Sequence, residues 1–446
     1  MRSLFGTDGV RGIANVDLTA EFAMNLGIAT AIVLTKKRKK VTILIGQDTR
    51  ISGDMLVSSL IAGLCSVGVD VINLGVVPTP CVSYLISKYK AQAGIMVSAS
   101  HNPSEYNGIK IFDRMGYKLP DALEDEIEDV MDNIDDYKNF GDKIGHVLAG
   151  YNPTIDYVDH LANSCSVKLN GLKIAVDCAN GSASAVANAL FSKLEADSYI
   201  INCRPDGINI NDNCGSTHIE GLVEKVVSEG FDCGIAYDGD ADRCIMVDSL
   251  GNIIDGDYIL AILANDMHAR GELQGDTVVG TVMSNLGFVK FCEDKKINFV
   301  ATKVGDRYVL EEMLLKGYVL GGEQSGHVIF KKFANTGDGE LTSIKVLEIM
   351  KRSGKSLNEL ASVMEKYPQV LINVNVLNEK KNDFYTDDEI SDEIDRISNK
   401  LGSDGRVLVR PSGTEPLIRV MIEGNDLEKI KKYALELAKM IEDVLN

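Results

Sequence analysis

Val41-Thr42-Ile43-Leu44-Ile45, Val69-Asp70-Val71-Ile72-Asn73 and Ala93-Gly94-Ile95-Met96-Val97 are three short apolar runs, separated by amphipathic segments over 54–67 and 82–89. Strand-length runs alternating with helix-length stretches predict a largely parallel sheet covered by helices. The pattern returns in Leu172-Lys173-Ile174-Ala175-Val176, Ser198-Tyr199-Ile200-Ile201 and Cys233-Gly234-Ile235-Ala236-Tyr237. It returns again in Thr277-Val278-Val279-Gly280, Asn298-Phe299-Val300-Ala301 and Tyr318-Val319-Leu320. Three α/β units in series follow. The remainder differs: strands over 370–376, 406–409 and 417–422, a helix over 389–401 and a closing helix from Leu427 predict a smaller α+β domain with an antiparallel sheet. Boundaries near 150, 252 and 367 divide the chain into 1–150, 151–251, 252–366 and 367–446.

The 446 residues carry 65 acidic against 46 basic side chains, a formal net charge of -19. That balance opposes nucleic acid and anionic membranes as partners, and any anionic substrate needs local positive charge. Nine cysteines without a Cys-x-x-Cys pair indicate reduced thiols rather than a disulfide framework or zinc ribbon. The segment Met1-Arg2-Ser3-Leu4-Phe5-Gly6-Thr7-Asp8-Gly9 breaks before a signal-peptide core can form, and no apolar run is long enough to span a bilayer. A cytoplasmic protein is expected.

Four loops carry chemistry. Ser98-Ala99-Ser100-His101-Asn102-Pro103 follows the run 93–97 and precedes Asn107-Gly108-Ile109-Lys110. A hydroxyl beside a histidine and near a lysine, on a loop exposed to substrate, outlines a phosphorylatable nucleophile at Ser100. The alternative is an Asn-Pro turn in which Ser100 and Asn102 cap backbone groups. Asp238-Gly239-Asp240-Ala241-Asp242-Arg243 follows an expected strand; flat, its outer carboxylates would stand about 13 Å apart, so the segment must curl to share an ion, and Gly239 permits that. Arg243 and Ser249 occupy the sixth and twelfth positions that a calcium EF-hand loop gives to glycine and glutamate, leaving Mg²⁺ as the better fit.

Gly322-Glu323-Gln324-Ser325-Gly326-His327 offers a carboxylate, a hydroxyl and an imidazole suited to sugar hydroxyls, or else a polar turn in which Glu323 caps the next element. Arg410-Pro411-Ser412-Gly413-Thr414-Glu415-Pro416, with Arg419, suits a phosphate better than a plain hairpin turn. Gly6-Thr7-Asp8-Gly9-Val10-Arg11-Gly12 and Gln47-Asp48-Thr49-Arg50 could add phosphate-facing groups. Gly354-Lys355-Ser356 lacks the first glycine of a nucleotide P-loop, so ATP binding is unsupported. His146, His160 and His268 fall outside these loops, with His218 intermediate, and the acidic stretches 124–136 and 387–395 read as solvated helix faces.

In this order the four loops resemble the α-D-phosphohexomutase family along essentially the whole chain. The resemblance implies four domains around a central cleft, three α/β and one α+β. It implies Ser100 as the phosphoserine; Asp238, Asp240 and Asp242 with a phosphoserine oxygen as ligands of one Mg²⁺; and Arg243 steadying the phosphoryl group. Arg11 and Lys110 match basic residues near the reacting centre, with His101, Lys110 and His327 as proton-transfer candidates. Glu323 and Ser325 match sugar contacts, and Arg410, Ser412, Gly413, Thr414 and Arg419 a distal-phosphate loop. Ser3 to Gly12, Asn209-Ile210-Asn211 with Cys214-Gly215-Ser216-Thr217-His218, and Gly321 to His327 are most similar to members acting on an amino-sugar phosphate. The implied reaction interconverts glucosamine 6-phosphate and glucosamine 1-phosphate, with glucosamine 1,6-bisphosphate as activator and intermediate, and the implied assembly is a homodimer. The alternatives are a phosphomannomutase or phosphoglucomutase, a metal-dependent sugar-phosphate phosphatase, and a noncatalytic sugar-phosphate sensor.

Overall fold

A computed structural model describes residues 4–6, 8–35, 41–134, 141–412 and 416–446. The chain divides into two units, one of Met1–Met283 with Lys296–Val363, the other of Ser284–Lys295 with Met364–Asn446. The first unit holds three mixed sheets. In the first, β1 (Val10–Ile13), β2 (Thr42–Gln47), β3 (Asp70–Val76), β4 (Ala93–Val97), β5 (Tyr106–Phe112) and β6 (Val147–Leu148) lie in the order β1-β5-β4-β2-β3-β6. β2, β3, β4 and β6 run parallel, whereas β5 runs against both β4 and β1. All five residues of β4 are buried, as expected for a continuous apolar run covered on both faces. Leu26 and Ala29 of the helix Ala20–Thr35 and Leu56 and Leu60 of the helix Ser52–Ser66 join Ile43, Ile45, Ile95 and Val97 in one core.

The second sheet contains β7 (Lys173–Asp177), β8 (Asp197–Ile201), β9 (Cys233–Tyr237), β10 (Cys244–Asp248) and β11 (Ile253–Ile254) in the order β11-β10-β9-β7-β8. The third contains β12 (Thr277–Thr281), β13 (Asn298–Thr302), β14 (Leu320–Gly322) and β15 (Val328–Phe330) in the order β13-β12-β14-β15. The three sheets share a device. A strand running with its parallel neighbours ends in a loop, and the next strand returns antiparallel beside it: β4 to β5, β9 to β10 and β14 to β15. These corners carry Ser100, the three aspartates and Glu323.

The other unit pairs β16 (Gln369–Asn375), β17 (Gly405–Pro411) and β18 (Leu417–Gly424) antiparallel in the order β16-β18-β17. Ile390 and Ile397 of the helix Asp388–Leu401, and Ile430, Leu437 and Ile441 of the helix Leu427–Leu445, pack with Ile418, Val420 and Ile422. Asp387 and Asp426 cap these helices by accepting the backbone N–H groups of Ile390 and Lys429.

One acidic face departs from expectation. Glu124, on the helix Asp121–Met131, is buried and accepts from Arg307 Nη2 at 2.9 Å, so this part of the 124–136 stretch is an interior contact; residues 135–136 lie outside the described residues. Among the described residues, no helix is long and apolar enough to cross a membrane.

Candidate active site

Ser100 lies beyond the end of β4 with φ +54°, a left-handed backbone that costs an L-residue about 1–2 kcal/mol. The surrounding bonds hold it there. Ser98 Oγ accepts the Ser100 N–H at 2.9 Å and donates to Asp48 Oδ2 at 2.6 Å. The Arg50 guanidinium donates to the carbonyls of Ser100 (3.0 Å), Asn102 (2.8 Å), Tyr106 (3.0 Å) and Pro103, and pairs with Asp48 at 2.9 Å. Asn211 Nδ2 adds bonds to the Ser100 and Asn102 carbonyls at 2.9 and 3.1 Å. Asp48 and Arg50 are therefore buried braces of the nucleophile loop rather than phosphate-facing groups, because every carbonyl on this sharp bend needs a donor.

The expectation of an exposed Ser100 is also corrected. The residue is buried, since the 238–243 corner packs against it, and its Oγ donates to Asp238 Oδ2 at 2.6 Å. Gly239 serves this approach: a methyl there would meet the Ser100 carbonyl oxygen at 2.5 Å. The left-handed residue that curls the acidic corner is Ala241, at φ +56°, not Gly239.

The curl gathers the carboxylates of Asp238, Asp240 and Asp242, whose candidate ligand atoms lie within 4.8 Å of one another. Thr79 Oγ1 donates to Asp240 Oδ2 at 2.6 Å, and Lys110 Nζ lies 2.8 Å from Asp240 Oδ2 and 3.4 Å from Asp242 Oδ2. The second oxygens of Asp240 and Asp242 are buried without a hydrogen-bond partner among the described residues. Burial and the two neighbouring carboxylates push Asp238 well above the usual carboxylate range. Unsatisfied carboxylate oxygens converging in a buried corner suit a hard divalent cation, and this triad could hold one.

A closed circuit of alternating charge runs outward from Asp242. Lys110 Nζ lies 3.1 Å from Asp8 Oδ2; Asp8 also pairs with Arg11 and Lys118; Lys118 Nζ lies 2.5 Å from Asp306 Oδ2; His327 Nε2 lies 3.4 Å from that same oxygen, and its Nδ1 3.6 Å from Asp242 Oδ2. Burial disfavours the charged form of Lys110, but Asp240, Asp8 and Asp242 outweigh it and hold the ammonium well above its ordinary value. Lys110 thus sits as a cation among three carboxylates, two of them members of the acidic triad. Burial, then Arg243 and Arg11, lowers His101 to about 4, so its imidazole is neutral near pH 7, with Nδ1 3.3 Å from Ser100 Oγ. His327 is raised instead: burial opposes its charge, but Asp242 and Asp306 prevail. Its Nε2 accepts the Gly337 N–H at 3.0 Å, which places the proton of the neutral ring on Nδ1, facing Asp242.

Arg243 stands beside the triad, its Nε 3.8 Å from Asp242 Oδ1. Glu323 is half-buried, and its Oε1 accepts the Gly305 N–H at 3.0 Å, whereas Ser325 is exposed at the corner's tip. In the other unit Arg410 on β17 faces Arg419 on β18 directly across the ladder. Burial, then Arg419, lowers Arg410. Like charges opposed in this register repel and are relieved by an anion between them. Ser412 is buried beside them, its N–H donating to the Leu417 carbonyl at 2.8 Å and its carbonyl accepting from Lys381 at 2.6 Å. Gly413 and Thr414 lie outside the described residues.

Sequence reasoning missed Lys118, Asp306 and Thr79, and named Asn211 within a motif without its bracing contact to the Ser100 carbonyl. Asp306 did carry a signal: it lies just past β13, at the same end of a parallel strand as the other reactive groups.

The chain matches four successive models described as phosphoglucomutase/phosphomannomutase: alpha/beta/alpha domain I over 2–138, domain II over 155–251, domain III over 255–367 and the C-terminal domain over 371–440. The chain belongs to the phosphoglucomutase/phosphomannomutase family. Among its relatives in that family, phosphoglucosamine mutase of Acetivibrio thermocellus is 53% identical over 100% of both chains, and that of Clostridium novyi 52% identical over 100% of both. A solved phosphoglucomutase/phosphomannomutase family protein from Burkholderia thailandensis is 25% identical with a TM-score of 0.81, covering 98% of each chain. Aspergillus fumigatus N-acetylphosphoglucosamine mutase, solved in complex with GlcNAc-6P and magnesium, shares the fold at 18% identity and a TM-score of 0.71, over 99% of this chain and 96% of that one.

Proposed function

We propose that the chain interconverts glucosamine 6-phosphate and glucosamine 1-phosphate through phospho-Ser100 and glucosamine 1,6-bisphosphate. The observation that carries the mechanism is the 2.6 Å contact between Ser100 Oγ and Asp238, which joins a hydroxyl to a buried acidic triad. In the first transfer the sugar's 1-hydroxyl attacks the phosphorus, the bond from phosphorus to Ser100 Oγ breaks, and the hydroxyl proton passes to a neighbouring base. After the bisphosphate turns over, Ser100 Oγ takes the 6-phosphoryl group and the sugar's 6-oxygen regains a proton.

Asp238, Asp240, Asp242 and an oxygen of phospho-Ser100 would hold Mg²⁺, which supplies positive charge to the transferring group. Arg243, Lys110 and Arg11 add fixed cations around it. Charge count supports this division of labour: with a cation keeping Asp238 ionised, five carboxylates (Asp8, Asp238, Asp240, Asp242, Asp306) face four permanent cations (Arg11, Lys110, Lys118, Arg243). One divalent ion converts that deficit into a surplus, which a phosphoryl group of charge about -2 then consumes. His101, Lys110 and His327 are the candidates for proton transfer, each within the cluster that surrounds Ser100 and the triad. Glu323 and Ser325 bind sugar hydroxyls, and Arg410, Ser412, Gly413, Thr414 and Arg419 hold the distal phosphate.

Intact-mass measurement before and after incubation with glucosamine 1,6-bisphosphate tests the reading. One added phosphate is expected on the wild type and none on Ser100→Ala. Turnover of glucosamine, glucose and mannose 6-phosphates, compared side by side, tests the sugar. Equal or better use of glucose or mannose defeats the glucosamine assignment, and release of free phosphate matching substrate loss defeats the mutase assignment.

A further inference from the structure

Asp8 faces three cations at once. Its Oδ2 pairs with Arg11 and lies 3.1 Å from Lys110 Nζ, while Oδ1 pairs with Lys118 Nζ. Lys110 is bound in turn to Asp240 and Asp242, and Arg11 Nη1 lies 3.4 Å from Asn102 Oδ1 in the nucleophile loop. A carboxylate bridging a guanidinium and two ammonium groups makes the contacts a phosphoryl group makes, because each presents several oxygens around one negative centre. The side chains of Asp8 and Arg11 are 21% and 28% exposed, whereas that of Lys110 is 1% exposed. An anion arriving from solvent therefore meets Asp8 and Arg11 before it reaches the buried lysine. Burial opposes the charge of Asp8, but Lys110, Lys118 and Arg11 hold its carboxyl well below the usual range, so it stays anionic.

We propose that Asp8 is a built-in competitor for phosphoryl groups: its carboxylate gathers Arg11, Lys110 and Lys118 when no phosphate is bound and yields them when one arrives. Without Asp8 the three cations lose the one carboxylate they share, and a phosphate is held more firmly than suits an intermediate that must detach and reverse. A resident carboxylate weakens that ground-state grip. The purpose rests on the mutase reading; the competition itself does not.

The test titrates inorganic phosphate into the full chain by calorimetry at fixed ionic strength, comparing wild type, Asp8→Asn and Asp8→Glu. Asp8→Asn is expected to bind phosphate about tenfold more tightly, the effect of removing one like charge beside the ligand, with Asp8→Glu near wild type. With glucosamine 1-phosphate as substrate, KM and kcat of Asp8→Asn are expected to fall together, whereas a purely structural lesion raises KM. Phosphate affinity unchanged or weaker in a folded Asp8→Asn protein overturns the proposal. Should that variant not fold, Lys118→Met decides: about tenfold weaker phosphate binding supports the shared cradle, and unchanged binding overturns it. Failure of the mutase reading shows separately, as a wild type that binds phosphate but converts no sugar phosphate.

Discussion

One methyl group at Gly239 tests whether the contact between two corners sets the rate. The added carbon of Gly239→Ala would lie 2.5 Å from the Ser100 carbonyl oxygen, 2.8 Å from Ile210 Cδ1 and 2.9 Å from Asn211 Nδ2. The carbonyl oxygen is backbone, fixed by Arg50 at 3.0 Å and Asn211 at 2.9 Å, so it cannot swing aside as a flexible side chain can. Restoring an ordinary separation near 3.3 Å parts the corners by roughly 0.8 Å. A shift of that size in a reacting pair costs on the order of 10- to 100-fold in kcat, and overpacking costs about 1–3 kcal/mol of stability. Gly221, in the helix Glu220–Glu229, is the control: a methyl there meets nothing within 4 Å, so Gly221→Ala should leave kcat unchanged and stabilise by about 0.5–1 kcal/mol. Steady-state turnover of glucosamine 1-phosphate, phosphate uptake by intact mass and urea unfolding read the three quantities. A Gly239→Ala enzyme with kcat within threefold of wild type would refute the reasoning.

Arg50→Met leaves Asp48 buried without its partner and should cost about 3–5 kcal/mol in urea unfolding, with loss of phosphate uptake at Ser100; a loss below about 1 kcal/mol contradicts the bracing role. His101 is lowered to about 4 from its ordinary 6.5, so below pH 6.5 the unfolded chain takes up a proton that the folded one refuses. Its contribution is flat above about pH 6.5 and turns destabilising as pH falls toward 4, and His101→Asn should flatten the urea-midpoint profile in that window. Magnesium should raise the wild-type unfolding midpoint by relieving repulsion within the triad, and Asp240→Asn should abolish most of that gain; an equal gain in both removes Asp240 from the ligand set.

The alternation of apolar runs made the α/β architecture legible because strands buried on both faces, such as β4 and β9, leave unbroken signals. Ser100, the three aspartates and Glu323 were legible because each falls just after such a run. β5 was not. Tyr106–Phe112 mixes polar and apolar residues, and its place between β4 and β1 depends on partners 93 or more residues apart in one direction (Ile13 with Tyr106 the nearest) and on the neighbouring corner in the other. Lys118 and Asp306 were hidden for a related reason: each is a half-buried ion whose pairing with the other spans 188 residues of chain. Arg50 reads as a phosphate ligand from its loop composition, and only the four carbonyls around it reveal a brace.

The recurring corner limits how such a catalyst can diverge. Each tip is closed by a registered cross-strand pair, Val97 with Ile109, Tyr237 with Cys244, and Gly322 with Val328. Lengthening a tip cannot be absorbed by sliding one strand, because a single-residue slip turns every side chain of that strand to the opposite face. Evolution is left with exchanging residues in place, so new sugar preferences should arise by point replacement at fixed spacing, while insertions accumulate at the helical connections on the far ends of the strands.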